Sequence, residues 1–191
     1  MNAHQEAAPL IASVRQMQAR PKMDSAFLEA IYNQHYDNVY NYICYRINNH
    51  HDAEELASDT FENAIRRFGT YRPDVAPMQA WLIGIAKNVV TDYFRAKKRK
   101  TFVPFDEIGE LISSERQPDE LFVFNETNRA LMKAMAMLKD SERQILAMKF
   151  ATDLRNQEIA RLMGLSDTNV STIINRAVKK LKKVIEREEK S

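Results

Sequence analysis

Asn156-Gln-Glu-Ile-Ala-Arg-Leu-Met-Gly-Leu-Ser-Asp-Thr-Asn-Val-Ser-Thr-Ile-Ile-Asn-Arg-Ala177 is the stretch that decides the fold. It reads as a helix-turn-helix. Ile159 and Ala160 lie on the first helix, and Ala160 is small enough for a second helix to cross close by. Gly164 stands where a helix end wants a residue free to take positive φ. Leu165 fills the corner, and the Ser166 hydroxyl can cap the next helix. Val170, Ile174 and Ala177 then recur at helical spacing. Thr168, Asn169, Ser171, Thr172, Asn175 and Arg176 occupy the other faces, with Lys179 one turn on. A helix that is apolar on one side and hydrogen-bonding on the other suits the major groove. A helical hairpin buried in a core would use Ile159, Leu165 and Ile174 in the same way; the order of small residue, glycine and cap favours DNA.

Working outward, 191 residues with 4 Gly, 6 Pro, 45% hydrophobic and 28% charged side chains describe a mainly helical chain. The net charge of +2 hides a strong segregation. Arg95-Ala-Lys-Lys-Arg-Lys100 is basic, as is the run Arg176, Lys179, Lys180, Lys182 and Lys183. Between them Asp106, Glu107, Glu110, Glu115, Asp119 and Glu120 form an acidic stretch. A single cysteine, Cys44, permits no internal disulfide and fits a reducing cytoplasm. Leu10-Ile-Ala-Ser-Val14 is too short for a signal peptide, and no run reaches membrane-spanning length, so no membrane insertion is expected.

The pattern divides the chain into an N-terminal extension (1–23), a helical domain (24–100), a linker (101–125) and a second helical domain (126–191). Asp24 caps a long helix with Phe27, Ile31, Val39, Ile43 and Ile47 on one side. Asn48-Asn-His-His51 breaks it as a solvated turn. Asp52-Ala-Glu-Glu55 has capping-box spacing and opens a second helix carrying Leu56, Thr60, Phe61, Ala64, Ile65 and Phe68, ended by Gly69. After the loop Tyr71–Pro77, a third helix turns Trp81, Leu82, Ile85, Val89, Val90 and Tyr93 inward. Lys87, Asn88, Thr91, Asp92 and Arg95 lie on its polar side. Pro104, Gly109, Ser113, Ser114 and Pro118 mark the linker. Leu131, Met135 and Leu138 open the second domain, and Ser141-Glu-Arg-Gln144 is a further capping box leading into Ile145, Leu146, Met148 and Phe150. The fold class is all-α: two small domains on a flexible acidic tether, the second ending in the helix-turn-helix.

No catalytic set is legible. His50-His51 beside Asp52 lacks a second cluster at metal-ligand spacing, so neither a metal nor another cofactor is expected. Four glycines leave no phosphate-cradling loop. Glu54, Glu55, Asp59 and Glu62 read as an acidic outer face of one helix, and Cys44 as a packing residue.

Region by region, the chain resembles the sigma-70 family, specifically the extracytoplasmic-function group. The resemblance runs from Phe27 to Lys100 and from Leu131 to Lys183. Asp52-Ala-Glu-Glu-Leu56 with Thr60-Phe61 looks like the helix that those factors dock on core RNA polymerase. Ala80-Trp-Leu-Ile-Gly-Ile-Ala-Lys-Asn88, with Asp92, Arg95 and the basic run, looks like the part that opens and reads the −10 element.

The resemblance implies three sets of site residues. Glu54, Glu55, Leu56, Asp59 and Glu62 would bind core polymerase. Trp81, Lys87, Asn88, Asp92, Arg95, Lys98 and Arg99 would meet −10 DNA, with the Tyr71–Gln79 loop as a cradle for a flipped base. Trp81 can stack on a base or pack as a buried indole. Thr168, Asn169, Ser171, Thr172, Asn175, Arg176 and Lys179 would meet duplex −35 DNA. The implied partners are core RNA polymerase, promoter DNA and an anti-sigma factor.

A linker of 25 positions reaches about 80–90 Å if extended. That covers the roughly 70–80 Å between promoter elements some 20-odd base pairs apart. Ser58-Asp59, Lys139, Ser171 and Ile173 depart from the family's usual residues, which bears on core docking and on the −35 sequence read. The alternative function is a ligand-responsive dimeric repressor, which would need a heptad seam or a ligand pocket that the sequence does not display.

Overall fold

The computed structural model describes residues 24–99 and 126–188, with backbone alone at residue 100, residues 126–130 and residue 188. The N-terminal extension and the acidic linker of the sequence reading lie outside the described residues. Among the described residues there are seven α-helices and no strand. The chain divides into two compact units, residues 1–34 and residues 35–191. In the first, the opening turn of α1 (Ser25–Ile47) is capped as expected, with the Phe27 amide donating to Asp24 Oδ1 at 2.8 Å.

The second unit holds the rest. Asn48, at φ +55°, turns the chain out of α1. Asn49 then caps α2 (His50–Arg67), its side chain accepting from the Asp52 amide. The cap therefore lies three residues before the expected Asp52. Asn49 has the extended backbone of a cap residue just before the helix, whereas Asp52 already lies inside the first turn. Freed from capping, Asp52 accepts the Tyr93 hydroxyl at 2.6 Å and ties α2 to α3 (Met78–Lys100). The turn before it is also less solvated than its composition suggests: His50 Nδ1 lies 2.9 Å from the Tyr40 hydroxyl and 3.6 Å from Cys44 Sγ.

Val39, Tyr42, Ile43, Ala53, Leu56, Ala57, Thr60, Phe61, Leu82, Ile83, Ala86 and Val90 form the buried core of these three helices. Ile65 is exposed instead, and α2 gives way to a 3-10 turn, Phe68–Thr70, rather than stopping at Gly69. Cys44 packs as expected, and burial pushes its thiol up to about 11.

The second helical group comprises α4 (Glu126–Ala136), α5 (Asp140–Ala151), α6 (Asn156–Met163) and α7 (Asp167–Glu188). Ala134, Met135, Leu138, Leu146, Ala177 and Leu181 make its core. Glu142, not Gln144, closes the box at the start of α5, accepting from the Lys139 amide at 3.2 Å. Arg143 donates to the carbonyls of Ala136 and Leu138, satisfying the acceptors left open at the end of α4. Phe150 is 62% exposed. It lies two residues past Met148 on the same helix, on a different face from that fully buried side chain.

The helix-turn-helix follows its sequence closely. Gly164 takes φ +65°, the left-handed conformation that frees the chain from α6. The Ser166 hydroxyl accepts from the Asn169 amide at 3.2 Å, capping α7. Ile159, Val170 and Ala177 are fully buried between the two helices and their neighbours.

Candidate nucleic-acid and partner interfaces

The acidic residues of α2 point outward. Glu54, Glu55, Asp59 and Glu62 are all exposed, while Ala53, Leu56, Ala57, Thr60, Phe61 and Ala64 fill the opposite side. Leu56 is therefore a core residue, 9% exposed, and not a surface anchor. Its place on the inward stripe with Ala53 and Thr60 sets that, whatever the neighbouring carboxylates do. Arg66 sits 2.7 Å from Glu62, and His51 lies 3.7 Å from Glu55. Exposed pairs of this kind contribute at most about 1 kcal/mol each, so the strip keeps its acidic character.

The polar side of α3 is more heterogeneous. Trp81 is half-buried, its ring 5.3 Å from Tyr71 and edge-on to Phe68 at 6.2 Å. It is both a packing residue and the wall of an open cleft of about 350 Å³. Lys87 is half-buried, its Nζ donating to the Leu162 carbonyl at 2.7 Å. Asn88 is exposed at the cleft rim. One turn on, Asp92 and Arg95 form an exposed ion pair at 2.7 Å, and Lys98 and Arg99 project into solvent. The basic end of α3 is thus available, while its first half is in contact with α6.

On α7, Thr168, Asn169, Asn175, Arg176 and Lys179 are exposed together. Thr172 is half-buried, and its hydroxyl donates to the Thr168 carbonyl at 2.9 Å. Ser171 differs from the expectation. Its Oγ accepts from Asn156 Nδ2 at 2.9 Å, so it links the two helices of the motif instead of standing free on the outer face. Ile173 is half-buried.

Several structural residues were not singled out by sequence. Arg46 is only 4% exposed, 2.8 Å from Asp140 Oδ1 and with its guanidinium 5.7 Å from the centre of the Phe94 ring. A signal was present: Arg46 follows Val39 and Ile43 by seven and three residues, a cation on the buried stripe. Arg161 donates to the Val75 carbonyl at 3.2 Å, and Tyr45 packs against the core of the second helical group. Nothing in their local sequence names those partners.

A sigma-70 region 2 family model matches residues 31–100, and a sigma-70 region 4 model matches residues 128–181. The ECF RNA polymerase sigma factor BldN of Streptomyces coelicolor is 33% identical over 155 residues, 81% of this chain and 59% of that protein. The ECF RNA polymerase sigma factor SigM of Bacillus subtilis is 28% identical over 160 residues, 84% of this chain and 96% of that protein. The chain thus spans 59% of the length of the first of these relatives and nearly all of the second.

Among solved structures, the sigma factor RpoE in complex with the anti-sigma factor NepR from Bartonella quintana aligns with a TM-score of 0.64 at 17% identity. That alignment covers 83% of this chain and 96% of RpoE. CnrH, in complex with the cytosolic domain of CnrY, aligns with a TM-score of 0.59 at 18% identity, covering 86% and 91%. At these identities the structures speak for the fold.

Proposed function

Since this chain belongs to the sigma-70 family, in its extracytoplasmic-function group, we propose that it is an alternative sigma factor that directs core RNA polymerase to promoters. The observation that carries this reading is the pairing, in family order, of two DNA-facing surfaces. One is the basic, polar end of α3 within the region 2 match, and the other is the exposed face of α7 within the region 4 match. The protein performs no covalent step of its own. Binding free energy drives promoter opening.

In this reading the α2 strip of Glu54, Glu55, Asp59 and Glu62 docks on a basic surface of core polymerase, where charge complementarity sets orientation and on-rate. Asn88 and Asp92, one turn apart on α3, reach unpaired −10 bases, with Trp81 as a stacking wall. Arg95, Lys98 and Arg99 hold phosphates, adding affinity without sequence information. Thr168, Asn169, Thr172, Asn175, Arg176 and Lys179 address −35 DNA through the major groove. Ser171 acts there by bracing Asn156, which holds the two helices of the motif in register.

No described helix is long and apolar enough to cross a membrane; the cytoplasmic site of action is proposed from the family. The dimeric repressor reading has no support in either matched region. An anti-sigma factor that engages both helical groups is the proposed regulator, on the analogy of RpoE with NepR and CnrH with CnrY.

The decisive experiment is a gel shift and run-off transcription with the chain alone, core enzyme alone and both together. Promoter-specific initiation should require both proteins. Specific repression by the chain without core would replace this reading.

A further inference from the structure

The major groove is walled by phosphates on both sides, yet the outer face of α7 carries its cations at one end only. Arg176 and Lys179 are exposed on its later turns, whereas no lysine or arginine stands between Asp167 and Asn175. A cation does stand beside that bare stretch, and it comes from the other helix of the motif. Asn156 Nδ2 donates to Ser171 Oγ at 2.9 Å, which fixes the start of α6 against α7. Ser171 shares its side of α7 with Thr168 and Asn175, three residues before it and four after. Arg155, the cap residue of α6, has its Cα about 3.8 Å from that of Asn156. It therefore stands at the edge of the outer face of α7.

The Arg155 side chain is exposed and yet held. It is 78% exposed, while Glu158, the carboxylate it rests on, is only 7% exposed. Nε and Nη2 of Arg155 lie 3.2 and 2.8 Å from Glu158 Oε1, and the Arg155 amide donates to Oε2 at 2.7 Å. One residue thus engages both oxygens of the carboxylate. A guanidinium offers five N–H donors in a rigid plane, and Glu158 takes only one edge of it. The other edge, Nη1 with the second hydrogen of Nη2, is left over on a side chain whose orientation is already set. Arg161, on the same helix, is instead taken up by the Val75 carbonyl.

We propose that Arg155 is a phosphate clamp for −35 DNA, with Glu158 as the positioning residue that presents it. The inference rests on the assignment of the helix-turn-helix given above. In such a motif the second helix enters the major groove and the first crosses the backbone, so the start of α6 meets a phosphate and not a base edge. A guanidinium fork matches two phosphate oxygens. Because Glu158 already holds it, the side chain gives up little freedom on binding. The clamp adds affinity on the side of the groove that α7 leaves without charge, and it carries no sequence information.

The test uses the chain assembled with core enzyme, on a duplex that the wild-type holoenzyme selects from a random-sequence pool. Arg155→Ala should lower affinity for that duplex about tenfold and reduce the salt slope by about one unit. Base preference at −35 should not change. In phosphate-ethylation interference, a phosphate beside the −35 element whose ethylation blocks the wild type should become neutral for Arg155→Ala. That readout comes from bound complexes alone, so a loss of folded protein does not move it. Arg155→Lys keeps a charge and gives up the fork on Glu158. It should restore the salt slope and the interference, with an affinity between those of the wild type and Arg155→Ala. A purely structural arginine would make lysine and alanine alike.

An unchanged salt slope and interference map in Arg155→Ala would mean that the guanidinium only braces Glu158. A changed base preference would mean that it reads bases. Weaker assembly with core enzyme, with the map intact, would assign it to the polymerase. Each of these overturns the inference and leaves the functional reading standing. If the wild-type holoenzyme selects no duplex sequence, the functional reading fails, and the inference with it.

Discussion

Helices α3 and α7 carry the same kind of surface and differ in what lies on it. Both are long, both are basic towards one end, and each presents amides and hydroxyls opposite an apolar stripe. On α7, Thr168, Asn169, Asn175 and Arg176 are open to solvent while Val170 and Ala177 are fully buried. On α3, Lys87 is held by the Leu162 carbonyl of α6, while Asn88, Thr91, Asp92, Arg95, Lys98 and Arg99 are exposed. The difference teaches that an amphipathic pattern defines which face is polar and not whether that face is accessible. A carbonyl at a helix end satisfies a lysine as well as a phosphate does.

The strongest way to break the comparison is to unfold the group that holds Lys87. Ile159→Ala empties a fully buried position in α6 and should destabilise the helix-turn-helix group by about 2–5 kcal/mol, read by urea denaturation. Duplex binding should fall with the fold of α7, while single-strand binding through α3 should hold. A parallel loss of both would mean that the two surfaces are not independently usable.

Next in size is the docking strip. Reversing charge at Glu55 and Asp59 together should weaken core binding on the order of thirtyfold, since like charges then face each other across a docking surface. Helicity by circular dichroism should not change, because both side chains are exposed. Unaltered affinity for core enzyme would remove α2 from the docking assignment.

The two DNA surfaces can then be separated by single side chains. Asn88→Ala should relax −10 preference and Arg176→Ala should relax −35 preference, each by about 1–3 kcal/mol of discrimination. A −35 effect from Asn88→Ala would reverse the division of labour. Lys98→Ala should instead lower affinity for all promoters alike and reduce the salt slope by about one unit. A sequence-dependent effect at Lys98 would mean that it reads bases.

The smallest effect is electrostatic. The Lys180 ammonium, 2.6 Å from Glu142, holds that carboxyl below its ordinary value of 4.5. A depressed folded-state value stabilises the protein above the ordinary carboxyl range, and the contribution is lost as pH falls through the lowered value. Lys180→Met should therefore lower the Tm slightly at neutral pH, by the equivalent of about 1 kcal/mol or less. The difference from the wild type should close in acid. A gap that persists at low pH would point to packing of the lysine stem on α7 instead.

Local features were the legible ones. Gly164 at positive φ, the Ser166 cap and the buried Ile159, Val170 and Ala177 all follow from residues within one motif. The helices of the first group follow from spacing, as do the outward carboxylates of α2. The misreadings share a cause. The spacing after Asp52 allows a cap there, but Asn49 stands at the helix start, and Tyr93 takes the carboxylate from 41 residues away. The resemblance offers Leu56 as a polymerase contact, whereas the rotation of α2 about its axis turns it into the core.

By itself, then, the sequence determined the helices, the turn at Gly164 and Ser166, the helix-turn-helix and the family, because these depend on interactions among residues close along the chain. Only the tertiary structure decided that Arg46 meets Asp140, that Ser171 braces Asn156 and that Lys87 is held by Leu162. A charged or polar side chain advertises the kind of partner it needs. Which partner it obtains depends on how two helical groups, far apart in sequence, pack their surfaces together.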